Sequence, residues 1–183
     1  MKETAFLNLI RGRRSIRRFK NQPVSREDIL TCVEAARYAP SAENMQPWRF
    51  IVLDNPELIE KFSDSVFSGI YRPSRWAANA PVIVAMFAKM DVLVNRLGKT
   101  VQGTQYYLLD LGIAGEHFVL QAHELGIGTC WIGWFNSKQT RRFFNLQRNY
   151  RAVALLAMGY SDQPSTKNRK LLNSDDLVWF NLE

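Results

Sequence analysis

The chain is poor in the residues that staple small folds or hold metals. Its 183 residues include two cysteines, Cys32 and Cys130, far apart in sequence, and two histidines. No CxxC pair or Cys/His cluster occurs, which argues against a disulfide framework and against a zinc site. No apolar run approaches the roughly 18 residues of a membrane-spanning helix. The start, Met1-Lys-Glu-Thr-Ala-Phe6, lacks the apolar region and cleavage site of a signal peptide, and the chain is expected to be cytoplasmic. No GxGxxG stands between a strand and a helix, so a Rossmann dinucleotide site is not supported. Repeats, low-complexity tracts and linkers are also missing. One domain over 1–183 is the simplest organisation.

What is present suits a soluble globular domain. Apolar residues make up 46% and charged residues 22%, both ordinary values. A chain of this length buries about 70% of the surface that its unfolded form exposes, enough for a core without staples. Basic residues exceed acidic ones, 24 to 17, for a net charge of +7. That balance fits nucleic acid, an anionic lipid, or an anionic ligand held at several points. The basic residues gather at 11–20, 72–75, 141–151 and 167–170 rather than in one tract, so small clusters could converge on one phosphate.

Local signals mark the elements. Residues 4–11 read as a helix leading into the basic segment. Ser25 is a candidate N-cap with Glu27 and Asp28 in the first turn. Val24 and Ile29 stand at staple positions, and Pro40 ends the helix. Residues 49–53 read as a strand. Asn55-Pro56 starts a helix with Leu58, Ile59, Phe62 and Val66 as its buried stripe. Residues 80–87 and 152–158 read as buried strands. A long helix over 104–125 carries Tyr107, Leu108, Leu111, Ala114, Phe118, Ala122 and Leu125 at three- and four-residue steps, with Gly126 as its stop. Residues 129–135 are extended and aromatic, Asn136 and Gln139 have capping-box spacing, and an amphipathic turn is expected over 174–180. With about four strands and no regular βαβ rhythm, the pattern favours an α+β sheet covered by helices.

Two segments carry candidate chemistry. Arg13, Arg14, Ser15 and Arg17 place guanidiniums beside a hydroxyl. Arginine forks match phosphate oxygens in pairs, although such a run equally suits a nucleic-acid patch or a solvated helix end. Ser41, Asn44 and Gln46 lie in a turn braced by Pro40, Pro47 and Trp48. Their amides and hydroxyl can pair with the alternating donors and acceptors of a flat heterocycle; an ordinary Asx turn is the plainer reading. Together the segments suit a phosphorylated aromatic cofactor such as flavin mononucleotide. Gly133 could admit a close ligand or mark a turn. His117 and His123, six apart, do not share a helix face and read as structural or solvent-facing. Glu116 has no evident acidic partner, and Trp131, Trp134 and Phe135 read as core.

Four ordered blocks resemble the FMN-dependent nitroreductase family: R-R-S-I-R-R-F over 13–19, P-S-A-E-N-M-Q-P-W-R-F-I-V over 40–52, H-E-L-G-I-G-T-C-W-I-G-W-F-N over 123–136, and A-L-L-A-M-G-Y over 154–160 followed by Lys167-Asn-Arg169. The resemblance spans nearly the whole chain. It implies a mostly antiparallel sheet of four to five strands covered by helices, in an intertwined homodimer with FMN at the interface and the 104–125 helix in the dimer core. It further implies that Arg13, Arg14, Ser15, Arg17, Lys167 and Arg169 hold the phosphate and the pyrimidine side of the flavin. Pro40, Ser41, Ala42 and Asn44 would approach the ring from the partner subunit, Ile132 and Gly133 would lie along it, and Gln46 is a further cofactor-binding candidate. Arg72 and Arg75 would add further contacts.

The implied activity is NAD(P)H-dependent reduction of nitroaromatic, quinone or similar small acceptors by ping-pong hydride transfer. NADH or NADPH would be the donor, protons would come from water with no dedicated acid–base residue, and Arg17 would have an electrostatic role. No nucleic-acid or membrane partner is expected. Two departures bear on substrate: Ala42-Glu43 and Trp134 stand where many relatives carry small residues, often Gly. Trp134 leaves open a narrow non-nitro substrate such as an enone or halogenated phenol. A non-catalytic flavin or nucleic-acid binding module is the remaining alternative.

Overall fold

The computed structural model describes residues 2–90, 104–162 and 169–181. In chain order these form α1 (Ala5–Gly12), α2 (Arg26–Arg37), β1 (Trp48–Leu53), α3 (Pro56–Val66), β2 (Val82–Lys89), α4 (Tyr106–Glu124), β3 (Gly128–Ile132), α5 (Ser137–Phe143) and β4 (Tyr150–Gly159). Three short 3-10 segments lie at Ala42–Asn44, Gly69–Asn79 and Ser174–Asp176. The strands make one sheet in the order β1-β2-β4-β3, with every neighbouring pair antiparallel. This is the α+β architecture that the sequence favours. No described helix is long and apolar enough to cross a membrane.

Both faces of the sheet are covered, which explains why β2 and β4 read as continuous apolar runs rather than alternating ones. Along β2, Val82, Val84 and Met86 join one core with α2 and α4. Ile83, Ala85 and Phe87 join the other, with α3. The alternation is interrupted once. Met86 pairs with Ala154 but Phe87 pairs with Ala152, so Val153 is an extra residue in β4. This bulge lets Val153 and Ala154 both pack on the α2/α4 side.

Local chemistry sets the helix ends. The side chains of Thr4, Ser25, Asn55 and Asn136 each accept a hydrogen bond from the backbone N–H three residues on, filling one of the orphan donors of a helix start. At the end of α4, Gly126 N–H donates to His123 O at 3.0 Å and Ile127 N–H to Ala122 O at 2.8 Å. This Schellman arrangement needs the left-handed φ of +75° that Gly126 supplies. The buried stripes are narrower than the spacing suggests: Leu58, Leu108 and Leu125 are exposed; Leu58 and Leu108 sit at the margin of the inward arc, and Leu125 is the C-cap beyond the last helical residue, Glu124. The 174–180 segment also buries nothing in this chain.

The helix α4 lies close on the sheet at Gly115. A Cβ there would overlap the Trp131 ring and come within 2.7 Å of Met86 Cε. The Trp131 indole cannot slide freely, because its N–H donates to Glu116 Oε2 at 3.3 Å. Overpacking of this kind costs about 1–3 kcal/mol, more than the helix propensity of about 1 kcal/mol that alanine gains over glycine. Gly115→Ala is therefore expected to lower the urea midpoint without changing the slope of the transition.

Candidate functional site

The basic segment does not end in solvent after α1. It runs along the free edge of β3. Ser15 forms a parallel bridge with Thr129, and Phe19 an antiparallel one with Ser161. Ile16 N–H donates to Thr129 O at 2.9 Å, and Lys20 N–H to Tyr160 O at 2.9 Å. Two glycines make this approach possible. A Cβ on Gly128 would lie 2.6 Å from Ile16 Cγ1, and one on Gly159 would lie 2.5 Å from Pro81 and 3.0 Å from Phe19. The first, third and fourth sequence blocks are thus brought together by backbone pairing.

The guanidiniums along this edge outnumber the acids that face them. Arg13 Nε is 3.7 Å from Glu116 Oε1, with only 15% of the Arg13 side chain exposed. Arg14 donates through Nη1 to the carbonyls of Arg11 and Arg13, while its buried Nε finds no partner among the described residues. Arg17 stacks over the Trp76 ring at 5.9 Å. Burial raises the Cys130 thiol, and Arg17, the Ser15 hydroxyl and Arg13 oppose that rise. His123 is held below its ordinary value, first by burial and then by Arg13 and Arg14. A cavity of about 270 Å³ lies here, lined by Arg13, Arg14, His123, Thr129 and Ser161 among others.

A third wall follows β3. Ile132 is buried and Gly133 exposed, and a Cβ on Gly133 would meet no described atom within 4 Å. Trp134 is 55% exposed, not part of the core as its apolar neighbours suggest. Its indole N–H donates to Ile70 O at 2.8 Å, and its ring lies 5.5 Å from that of Tyr71. The same 3-10 segment carries Trp76 under Arg17. Arg72 in this segment is exposed. Arg75 turns away: Nη2 contacts Glu60 Oε1 at 2.5 Å and Asp64 Oδ1 at 2.7 Å on α3, and these ion pairs hold its pKa above the ordinary value.

The second block is a tightly internal turn. Ser41 Oγ accepts from Gln46 N–H at 3.0 Å, and Gln46 Nε2 donates to Asn44 Oδ1 at 2.8 Å. Glu43, Asn44 and Gln46 have φ of 50°, 56° and 45°. This is left-handed backbone that asparagine tolerates but that strains the other two. Pro40 is exposed, and Ser41 and Ala42 are half-buried. Ala42 N–H donates to Asp110 Oδ1 at 3.0 Å. Asp110 is 5% exposed, and burial raises its carboxyl while the Ala42 bond opposes the rise. Sequence reasoning missed this residue, although an acid inside the apolar stripe between Tyr107 and Leu111 was a usable signal.

The turn and the basic segment lie at diagonally opposite corners of the sheet. Trp48, which follows the turn, is level with Ala88 and so with Arg151. Ser15 is level with Thr129 and so with Met158. The offset along β2, from Ala88 to Val82, the partner of Met158, is about 20 Å at 3.4 Å per residue, and the four strand spacings from β1 to the segment beside β3 add about 19 Å across. Within one chain the two halves are therefore about 28 Å apart. Arg169 is exposed, and Lys167 lies outside the described residues.

The nitroreductase family model matches residues 10–160. A nitroreductase family protein from Clostridium difficile 630 is 28% identical in its crystal structure, with 98% of this chain and 100% of that one covered at a TM-score of 0.81. An FMN-dependent nitroreductase from Clostridium difficile R20291 is also 28% identical, covering 97% and 99% at 0.73. A protein of Archaeoglobus fulgidus whose provisional name is NADH dehydrogenase/NAD(P)H nitroreductase is 31% identical over 158 residues, 84% of each chain.

Proposed function

Because the chain belongs to the nitroreductase family, and so is an oxidoreductase, we propose that it binds FMN at an interface between two copies and uses NADH or NADPH to reduce small nitroaromatic, quinone or similar acceptors. The diagonal separation of the two halves carries this reading. A second copy, related by a two-fold axis, brings its turn to the first copy's basic edge, and the reverse. Each partner then completes the other's site. Apolar surface left bare on one chain supports the pairing: Leu109 and Ile113 on α4, and Leu171, Leu172, Trp179 and Phe180 near the C-terminus, are all exposed. Obligate interfaces are built from such surface.

The residues fit the cofactor. The buried Arg14 Nε that lacks a described partner, beside Arg13, Ser15 and Arg17, suits a phosphate. The open space over Gly133 suits a flat ring lying along Ile132 and Gly133. Pro40, Ser41, Ala42, Asn44 and Gln46 would come from the partner, Lys167 and Arg169 would join in holding the phosphate and the pyrimidine side, and Arg72 would add a further contact. Arg75 is left out, since Glu60 and Asp64 already engage it.

When bound, FMN supplies two-electron redox chemistry between the nicotinamide and the acceptor. The chain's own part is placement and field. Arg17, braced by Trp76, holds a fixed positive charge on this wall and favours an anionic partner there. The turn's internal hydrogen bonds hold its amides in place before the cofactor arrives. Purified protein supplied with FMN is expected to sediment as a dimer, turn yellow, and bleach when NADH or NADPH is added without oxygen. Failure to take up FMN would overturn the proposal.

A further inference from the structure

Trp134 is exposed, yet it is not loose. Its single polar atom is satisfied by Ile70 O at 2.8 Å, and Tyr71 flanks its ring at 5.5 Å with the planes inclined at 55°. Swinging the indole away would break that hydrogen bond and separate the two rings. A large aromatic held in place at the surface, one residue beyond the open space over Gly133, is preorganised to receive something flat. We propose that Trp134, braced by Ile70 and Tyr71, is a specificity-determining ledge that stacks on planar aromatic acceptors and disfavours bulky non-planar ones. The proposal rests on the flavin site described above and concerns how acceptors are chosen at it.

The brace comes from the 3-10 segment that also sets Trp76 under Arg17. One segment therefore positions both an aromatic ledge and a cation of the cofactor wall. An apolar residue without a ring at 134 would keep some burial but lose the stacking term, and phenylalanine would keep a ring without the indole tether.

The test compares wild type, Trp134→Leu, Trp134→Phe and Tyr71→Leu, each loaded with FMN. Isothermal titration with 2-naphthoate, a flat and redox-inert aromatic, reads binding without turnover. Steady-state assays with 1,4-naphthoquinone and a bulky non-planar quinone read acceptor choice. Loss of stacking in Trp134→Leu is expected to weaken 2-naphthoate and raise KM for naphthoquinone by roughly tenfold. Trp134→Phe should retain most of the affinity, Tyr71→Leu should fall between, and FMN affinity should stay as in wild type. Equal 2-naphthoate affinity in Trp134→Leu and wild type overturns the ledge. So does a Trp134→Phe as weak as Trp134→Leu, or a Trp134→Leu that sediments as a monomer, since the indole would then belong to the subunit contact. Wild-type protein that takes up no FMN is a separate result: it removes the flavin reading itself.

Discussion

Co-expression of Arg17→Glu with Asn44→Pro is expected to restore about a quarter of wild-type turnover, although each variant alone retains at most a few per cent. Arg17→Glu removes a charge-assisted contact of about 1.5–3 kcal/mol and adds a repulsive charge. Asn44→Pro forces φ near −65° where the turn requires 56° and removes the N–H that donates to Ser41 O at 3.1 Å. In a site built from two copies, the two lesions fall on opposite contributors. Random pairing makes half the dimers mixed, and each mixed dimer has one whole site and one doubly damaged site. Counting sites gives the quarter. If one chain held a complete site, every site in the mixture would carry a lesion and co-expression would restore nothing. The measurement is turnover of the unfractionated co-expressed protein against the two parental proteins; mixed dimers isolated through two tags should reach about half of wild type.

The parts of the molecule legible in sequence are those set by neighbours along the chain. Ser25, Asn55 and Asn136 cap their helices because a short side chain can fold back on a backbone N–H three residues on. Gly126 ends α4 because the required φ is costly for any residue with a Cβ. The apolar runs of β2 and β4 announce a sheet covered on both faces. What stayed hidden depends on distant partners. Nothing near Arg75 in sequence signals that α3 presents Glu60 and Asp64 to it. Trp134 looks like core beside Phe135, but Ile70 and Tyr71 hold it outward. The bridge from Ser15 to Thr129 joins residues more than a hundred positions apart, and no local pattern encodes it.

Asp110 is marked in sequence as an acid inside an apolar stripe, but its partner, Ala42, is not. Asp110→Leu is expected to weaken FMN binding, while Asp110→Asn is expected to preserve it. The carboxylate receives Ala42 N–H at 3.0 Å across 68 residues, and so ties the strained turn to α4. Leucine leaves that N–H without its partner, at a cost of about 1–3 kcal/mol, and frees a segment with three non-glycine residues in left-handed backbone. Asparagine offers the same acceptor oxygen without a charge. Burial raises the Asp110 carboxyl above its ordinary value, so its protonation stabilises the fold fully below the unfolded value, and that contribution is lost as pH rises through the folded one. At neutral pH the buried charge therefore burdens the fold. Asp110→Asn should be at least as stable as wild type there, and its stability should vary less with pH across the acid range, as read by urea unfolding at several pH values. The lesion in Asp110→Leu belongs to the turn half. It should complement Arg17→Glu in mixed dimers and fail to complement Asn44→Pro. The opposite pattern would mean that Asp110 acts on the basic edge of its own chain rather than through the turn it presents to its partner.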